Sequence, residues 1–71
     1  MRLFNRYPIL HQVIVNTKAR DESFRGVLWR KRWGYLVLRN AEMLRGKGEV
    51  VAMAGELVIP AENVNFIQVV G

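Results

Sequence analysis

The 71-residue chain has no cysteine and a single histidine, His11. Without cysteine it can form neither a disulfide framework nor a thiolate metal site, and no cluster of other ligand side chains has a metal-binding spacing. No apolar run approaches the roughly 18 residues of a membrane span, and Met1–Phe4 does not begin a signal-peptide pattern. We therefore expect no metal, no other cofactor and no membrane association.

Residues suited to catalysis are equally scarce. His11 has apolar neighbours, and a lone histidine near the start of a strand usually packs or makes a structural hydrogen bond. Asp21 and Glu22 are adjacent in a turn and point apart, so they form no acid–base pair. Gly46-Lys47-Gly48 is a hairpin turn and not a phosphate-binding loop, since it does not lead from a strand into a helix. We expect no catalytic residues and no enzyme.

What the chain does contain is apolar strand and positive charge. Hydrophobic residues make up 51% and charged residues 24%, too apolar a balance for a disordered tail. The net charge is +5, of which residues 1–39 carry +7 and residues 40–71 carry −2. The basic half predicts contact with nucleic acid or with an acidic protein surface, and the alternative is a solvated basic face with no partner.

Short apolar runs alternate with turn residues, a rhythm typical of an all-β protein. We expect a small five-stranded antiparallel barrel in which the third strand ends near Ala41 and the Gly46–Gly48 hairpin follows. Pro8 suits the first turn of a helix, so the segment around 9–12 is either a helical turn or an extension of the first strand. The division into an N-terminal arm, 1–12, and a barrel domain, 13–71, follows. The apolar runs are 13–15, 24–29, 35–38, 50–53, 57–59 and 64–70, and the second strand continues from its run through 30–32.

Gly26 lies in the middle of the second predicted strand. Glycine at such a position usually marks a bend or bulge that lets a sheet curl onto itself. Alternation along this strand places Gly26 and Leu28 on one face and Val27 and Trp29 on the other, so Trp29 is the more outward of Leu28 and Trp29.

The strands carry more apolar side chains than one interior can hold. Consecutive residues such as Val13, Ile14 and Val15 point to opposite faces, and a core of this size barely offsets the entropy of ordering the chain. We therefore expect other copies of the chain to cover the second face.

These features resemble the Sm-like family, the small barrels of the Sm, bacterial Hfq and archaeal Sm-like proteins. The resemblance covers about residues 9–70. The segments Val13–Val15 and Phe24–Leu28 are similar to the start of the first family motif, with Gly-x-Leu in the bent second strand. Residues 35–42 resemble its end, and residues 55–59 and 63–67 resemble the second motif. The resemblance implies assembly into a ring, with the fourth strand of one subunit beside the fifth strand of the next.

The sequence departs from the family at its RNA-binding positions. Family members that bind RNA carry an aspartate and an asparagine between strands two and three, and an Arg-Gly pair after strand four. Here Lys31 falls near the aspartate, Tyr35 stands at the asparagine and Pro60-Ala61 replaces Arg-Gly. Only Asn63 matches a base-pocket position, and its expected role is structural, as a side chain that bonds backbone in a tight turn. The resemblance therefore predicts no standard uridine pocket.

Basic and aromatic residues concentrate between the second and third strands. Such a surface can stack bases and neutralise phosphates, and it suits a protein contact equally well, because Trp, Tyr and Arg dominate binding hot spots. The third alternative is that Trp29 and Trp33 pack the barrel mouth while the charges face water. The residues are Trp29, Arg30, Lys31, Arg32, Trp33 and Tyr35.

The first residues of the chain mix apolar anchors with arginine, as an arm that reaches a neighbour would; we expect contacts from Arg2, Phe4, Arg6 and Tyr7. The chain also resembles, in size and basic N-terminus, small Sm-like proteins of tailed bacteriophages. This predicts a non-catalytic, homo-oligomeric assembly module, such as a minor capsid, decoration or connector component, in the virion or the host cytoplasm. The alternative is a ring protein that binds RNA through the basic aromatic loop.

Overall fold

A computed structural model describes residues 7–18 and 22–71. It contains six antiparallel strands: β1 (Gln12–Thr17), β2 (Ser23–Arg32), β3 (Tyr35–Leu44), β4 (Val50–Ala52), β5 (Glu56–Pro60) and β6 (Val64–Val69). Short 3₁₀ turns span Gly46–Gly48 and Ala61–Asn63. No helix in the described part of the chain is long and apolar enough to cross a membrane.

The six strands form a five-stranded barrel-like sheet, because β4 and β5 lie end to end along the same edge of β3. β5 pairs with the first half of β3 and β4 with its second half, so the two are halves of one interrupted strand. On the other edge of β3 follow β2, β1 and β6. The all-β fold expected from the sequence is confirmed.

The interior is a small aliphatic core. Leu28, Leu36 and Leu38 are fully buried, as are Val13 and Val15 of β1. Their spacing of two residues matches the alternation of a strand whose one face is buried. Leu28 is buried while Trp29 is half-buried, so Trp29 is the more outward residue, as predicted.

The bend predicted at Gly26 is present. The pairing of β2 with β3 shifts register between Arg25 and Val27, opposite Asn40, which has a positive φ of 52°. A Cβ at Gly26 would lie 2.9 Å from the carbonyl oxygen of Arg39. Two strand backbones therefore approach too closely here for any larger residue.

One local prediction needs correction, and the structure defines the segment whose conformation the sequence left open. β3 continues to Leu44 and does not end near Ala41, because the bulge at Asn40 interrupts the alternation without ending the strand. Residues 8–11 form a turn in which the His11 N–H donates to the Pro8 carbonyl oxygen, and the turn is not helical because Leu10 has a φ of 68°. The Leu10 N–H donates to the Leu28 carbonyl, and the Leu28 N–H donates to the His11 carbonyl. These bonds hold the turn against β2, and β1 begins only at Gln12.

Candidate nucleic-acid interface

Two loops that are distant in sequence meet at one end of the sheet. The first is the tight turn Trp33-Gly34 between β2 and β3, closed by the paired residues Arg32 and Tyr35. The second is the 3₁₀ turn that follows Pro60, the last residue of β5 and the pairing partner of Tyr35. The Ala61 N–H donates a hydrogen bond to the Gly34 carbonyl oxygen over 2.7 Å.

Trp33 occupies a strained and open position. Trp33 has a φ of 51° and Gly34 a φ of 78°, as in the primed two-residue turns that fit the twist of a hairpin. Asparagine is the usual first residue of such a turn, and a bulky residue with positive φ is an outlier that points toward function. The Trp33 side chain is 84% exposed, so packing within the chain does not offset this strain.

The two loops enclose a concave surface of about 310 Å³. Aromatic walls come from Trp33 and from Tyr35, which is 46% exposed. The lining also includes Pro60 and two residues of the following 3₁₀ turn, Ala61 and Glu62. The concavity therefore combines flat apolar faces with one carboxylate.

Positive charge lies beside this concavity. Arg30, Lys31 and Arg32 are exposed at the end of β2, and the Lys31 Nζ lies 5.6 Å from the centre of the Tyr7 ring, within the range of a cation–π contact. Ion pairs in the described residues involve other arginines, namely Arg25, Arg39 and Arg45. The three cations at the turn are thus presented to solvent.

The six residues predicted for the basic aromatic contact do not all act together. Trp29 lies at a second bulge of β2, between Leu28 and Arg30, and its ring is covered by the Arg39 guanidinium, 3.8 Å from the ring centre. The Nε of Arg39 also donates to Glu56 over 3.0 Å. Trp29 therefore belongs to a stack on the sheet face, whereas the other five residues surround the turn. We call Arg30, Lys31, Arg32, Trp33 and Tyr35 the hairpin surface.

Asn63 and the residues predicted for the N-terminal arm do not belong to the hairpin surface. Asn63 accepts a hydrogen bond from the Lys18 N–H through its backbone carbonyl oxygen, over 2.8 Å. The sequence predicted a hydrogen bond from the Asn63 side chain instead. Tyr7 packs against the core of its own chain. Arg2, Phe4 and Arg6 lie outside the described residues, as does Asp21.

The lone histidine makes a structural contact, as expected. His11 Nδ1 lies 3.1 Å from the Gly71 carbonyl oxygen, which ties the start of β1 to the C-terminal residue. Among the described residues, no three His, Cys, Asp or Glu side chains are grouped closely enough to hold a metal ion.

Reasoning from sequence missed two features of this region. Glu62 lines the concavity, and the signal available was its position directly after the Pro60-Ala61 pair that replaces Arg-Gly. The second is a groove of about 740 Å³ along β6, which Phe66, Val69 and Tyr7 help to line. Its position depends on the pairing of β6 with β1, which no local pattern reveals.

Two solved structures similar to this chain are both Sm proteins. One is a heptameric archaeal Sm protein, studied for its implications for the eukaryotic snRNP core; it is 33% identical with a TM-score of 0.76, over 89% of this chain and 90% of that chain. The other is the SmAP1 heptamer of P. aerophilum, with the same identity and TM-score over 89% of this chain and 82% of that chain. This chain belongs to the Sm-like family.

The family resemblance predicted from the two motif regions is thereby confirmed. No protein-family model matches the chain, and no curated protein matches it significantly. The Sm-like assignment rests on the solved structures, where identity and fold agree over nearly the whole length of both chains.

Proposed function

We propose that this Sm-like protein assembles with copies of itself into a ring and binds single-stranded RNA through the hairpin surface. The observation that carries the RNA proposal is the hydrogen bond between Ala61 and Gly34, which brings the two binding loops of the family together. Around it lie two exposed aromatic rings and three solvent-facing cations. The proposed role is binding and not catalysis.

The proposed assembly is supported by the two edge strands β5 and β6. In the described structure, β5 pairs only with β3 and β6 only with β1, so each has a hydrogen-bonding edge open to another strand. Apolar side chains on these strands are exposed, including Val58 at 53%, Phe66 at 55% and Val69 at 53%. A neighbour's β5 beside β6 would cover them. Both similar structures are heptamers.

The hairpin surface suits a single strand better than a duplex. Unstacked bases can lie on Trp33 and Tyr35, and each base stacked on an aromatic ring contributes about 1–3 kcal/mol. Arg30, Lys31 and Arg32 can contact phosphates, which release counterions on binding. Repetition around a ring would add avidity without any new contact.

A role in the virion of a tailed phage, as a capsid, decoration or connector component, has less support. The similar structures are archaeal Sm proteins, and the hairpin surface combines cations with exposed rings in the way single-strand binding requires. Both observations favour the RNA-binding alternative.

Fluorescence anisotropy with a short labelled single-stranded RNA tests the RNA proposal. We expect the logarithm of the affinity to fall linearly with the logarithm of salt concentration. Arg30→Ala and Lys31→Ala should each make this slope shallower by about 0.7, the value for one lost contact to a single strand.

Arg45→Ala is the matched control, because it removes the same charge at the opposite end of β3, where Arg45 faces Glu49. It should leave the slope unchanged. Absence of binding at low salt, or an equal effect of Arg45→Ala, would overturn the proposal.

A further inference from the structure

Glu62 is an unexpected group in a surface built to attract phosphates. It lines the same concavity as Trp33 and Tyr35 and is exposed. In the described residues the ion pairs are Arg25–Glu42, Arg39–Glu56 and Arg45–Glu49, and Glu62 takes no part in them. Its carboxylate is therefore available to a ligand in the concavity.

An ionised carboxylate only accepts hydrogen bonds, and it has two oxygens to offer. It repels phosphate, so its partner on RNA is a hydrogen-bond donor, either on a base or on the ribose 2′-hydroxyl, and of these only the base donors differ between nucleotides. A base stacked on Trp33 or Tyr35 would lie in the same concavity as Glu62, where its Watson–Crick edge can meet the carboxylate.

The four bases differ in the donors on that edge. Guanine places the N1–H and the N2 amino group side by side, which matches both oxygens of one carboxylate. Uracil has one N3–H flanked by two carbonyl oxygens that the carboxylate would repel. Adenine and cytosine each place one amino group beside a ring nitrogen that is itself an acceptor.

We propose that Glu62 makes this concavity a guanine-selective base site, an inference that rests on the proposed RNA-binding function. Trp33 and Tyr35 stack the base, and the Glu62 carboxylate accepts from its N1–H and N2–H. The neighbouring Pro60-Ala61 pair offers no guanidinium to compete for the carboxylate. The preference therefore differs from the uridine preference that the family motif would have implied.

The test uses short uridine-rich RNAs that differ only in the central nucleotide: guanosine, inosine, adenosine or uridine. We expect the guanosine RNA to bind about tenfold more tightly than the adenosine and uridine RNAs, within the range that one bidentate base contact gives. Inosine keeps the N1–H but lacks the N2 amino group, so its RNA should bind with intermediate affinity.

Glu62→Gln should abolish the preference for guanosine, because the amide replaces one acceptor oxygen by a donor, while the salt dependence is kept. Glu49→Gln is the control of equal charge change, at the opposite end of β3, and should keep the preference. RNA binding without a guanosine preference, or a preference unchanged in Glu62→Gln, overturns this inference and leaves the proposed function standing. Failure of the wild-type protein to bind any of the four RNAs overturns both.

Discussion

The Ala61 N–H and the Gly34 carbonyl oxygen are joined by a hydrogen bond of 2.7 Å, and both partners are backbone groups. The relative position of the two loops therefore does not depend on which side chains they carry. This explains how Tyr35 and Pro60-Ala61 can stand at the positions of the family's RNA-binding residues while the loops still meet. The backbone arrangement of the two loops can therefore carry side chains other than those of the family motif.

Trp33→Asn is expected to stabilise the fold and to weaken RNA binding. Asparagine tolerates positive φ and favours this turn before glycine, so relief of the strain should raise the free energy of unfolding by roughly 1 kcal/mol. The exposed Trp33 ring contributes little packing within the chain to be lost. Denaturant unfolding at fixed protein concentration and anisotropy with RNA measure the two effects.

Trp33→Ala separates strain from stacking. It removes the ring but leaves a β-carbon at the same positive φ, so RNA affinity should fall without the gain in stability. If Trp33→Asn is less stable than the wild-type protein, the ring packs against something in the assembly and the strain argument is wrong.

Gly26→Val is expected to destabilise the protein by about 1–3 kcal/mol, because the added side chain meets the Arg39 carbonyl and the Ala41 backbone. Gly46→Ala is the comparison, since a Cβ at Gly46 meets no atom within 4 Å. Thermal unfolding should show a lowered midpoint for Gly26→Val and little change for Gly46→Ala. Equal midpoints for Gly26→Val and the wild-type protein would mean that the strands do not approach closely at this point.

The strands and the bend at Gly26 were predictable because they depend on local alternation and on the absence of one β-carbon. The full length of β3 was not, since the extra residue Asn40 shifts the alternation and imitates the end of a strand. The conformation of residues 9–12 could not be predicted from the sequence either. Pro8 is compatible with a helix or an extended chain, but the segment forms a turn with Leu10 at positive φ, which hydrogen bonds to Leu28 hold against β2.

The sequence indicates most of the charged and aromatic residues of the candidate site, but it does not show that Trp29 lies outside the site or that Glu62 belongs to it. Trp29 is next to Arg30 in sequence, yet a bulge turns it toward Arg39 and away from the hairpin surface. Glu62 joins the concavity only because β5 pairs with β3 and brings the following turn beside Gly34. Both outcomes depend on strand pairings between distant residues, which no local spacing encodes.

Phe66→Lys should reduce the assembly to single chains. Phe66 is 55% exposed and lines the groove along β6, where the neighbour's β5 is proposed to pair. A lysine there would have to lose hydration against an apolar strand of the neighbour, at a cost of about 3 kcal/mol or more per interface. Sedimentation equilibrium or native mass measurement gives the oligomer size directly.

Leu10→Lys is the matched control, because Leu10 is 64% exposed in the turn before β1 and lies on neither open edge. A wild-type protein that is monomeric at micromolar concentration, or an assembly that survives Phe66→Lys at full mass, would exclude pairing along β6.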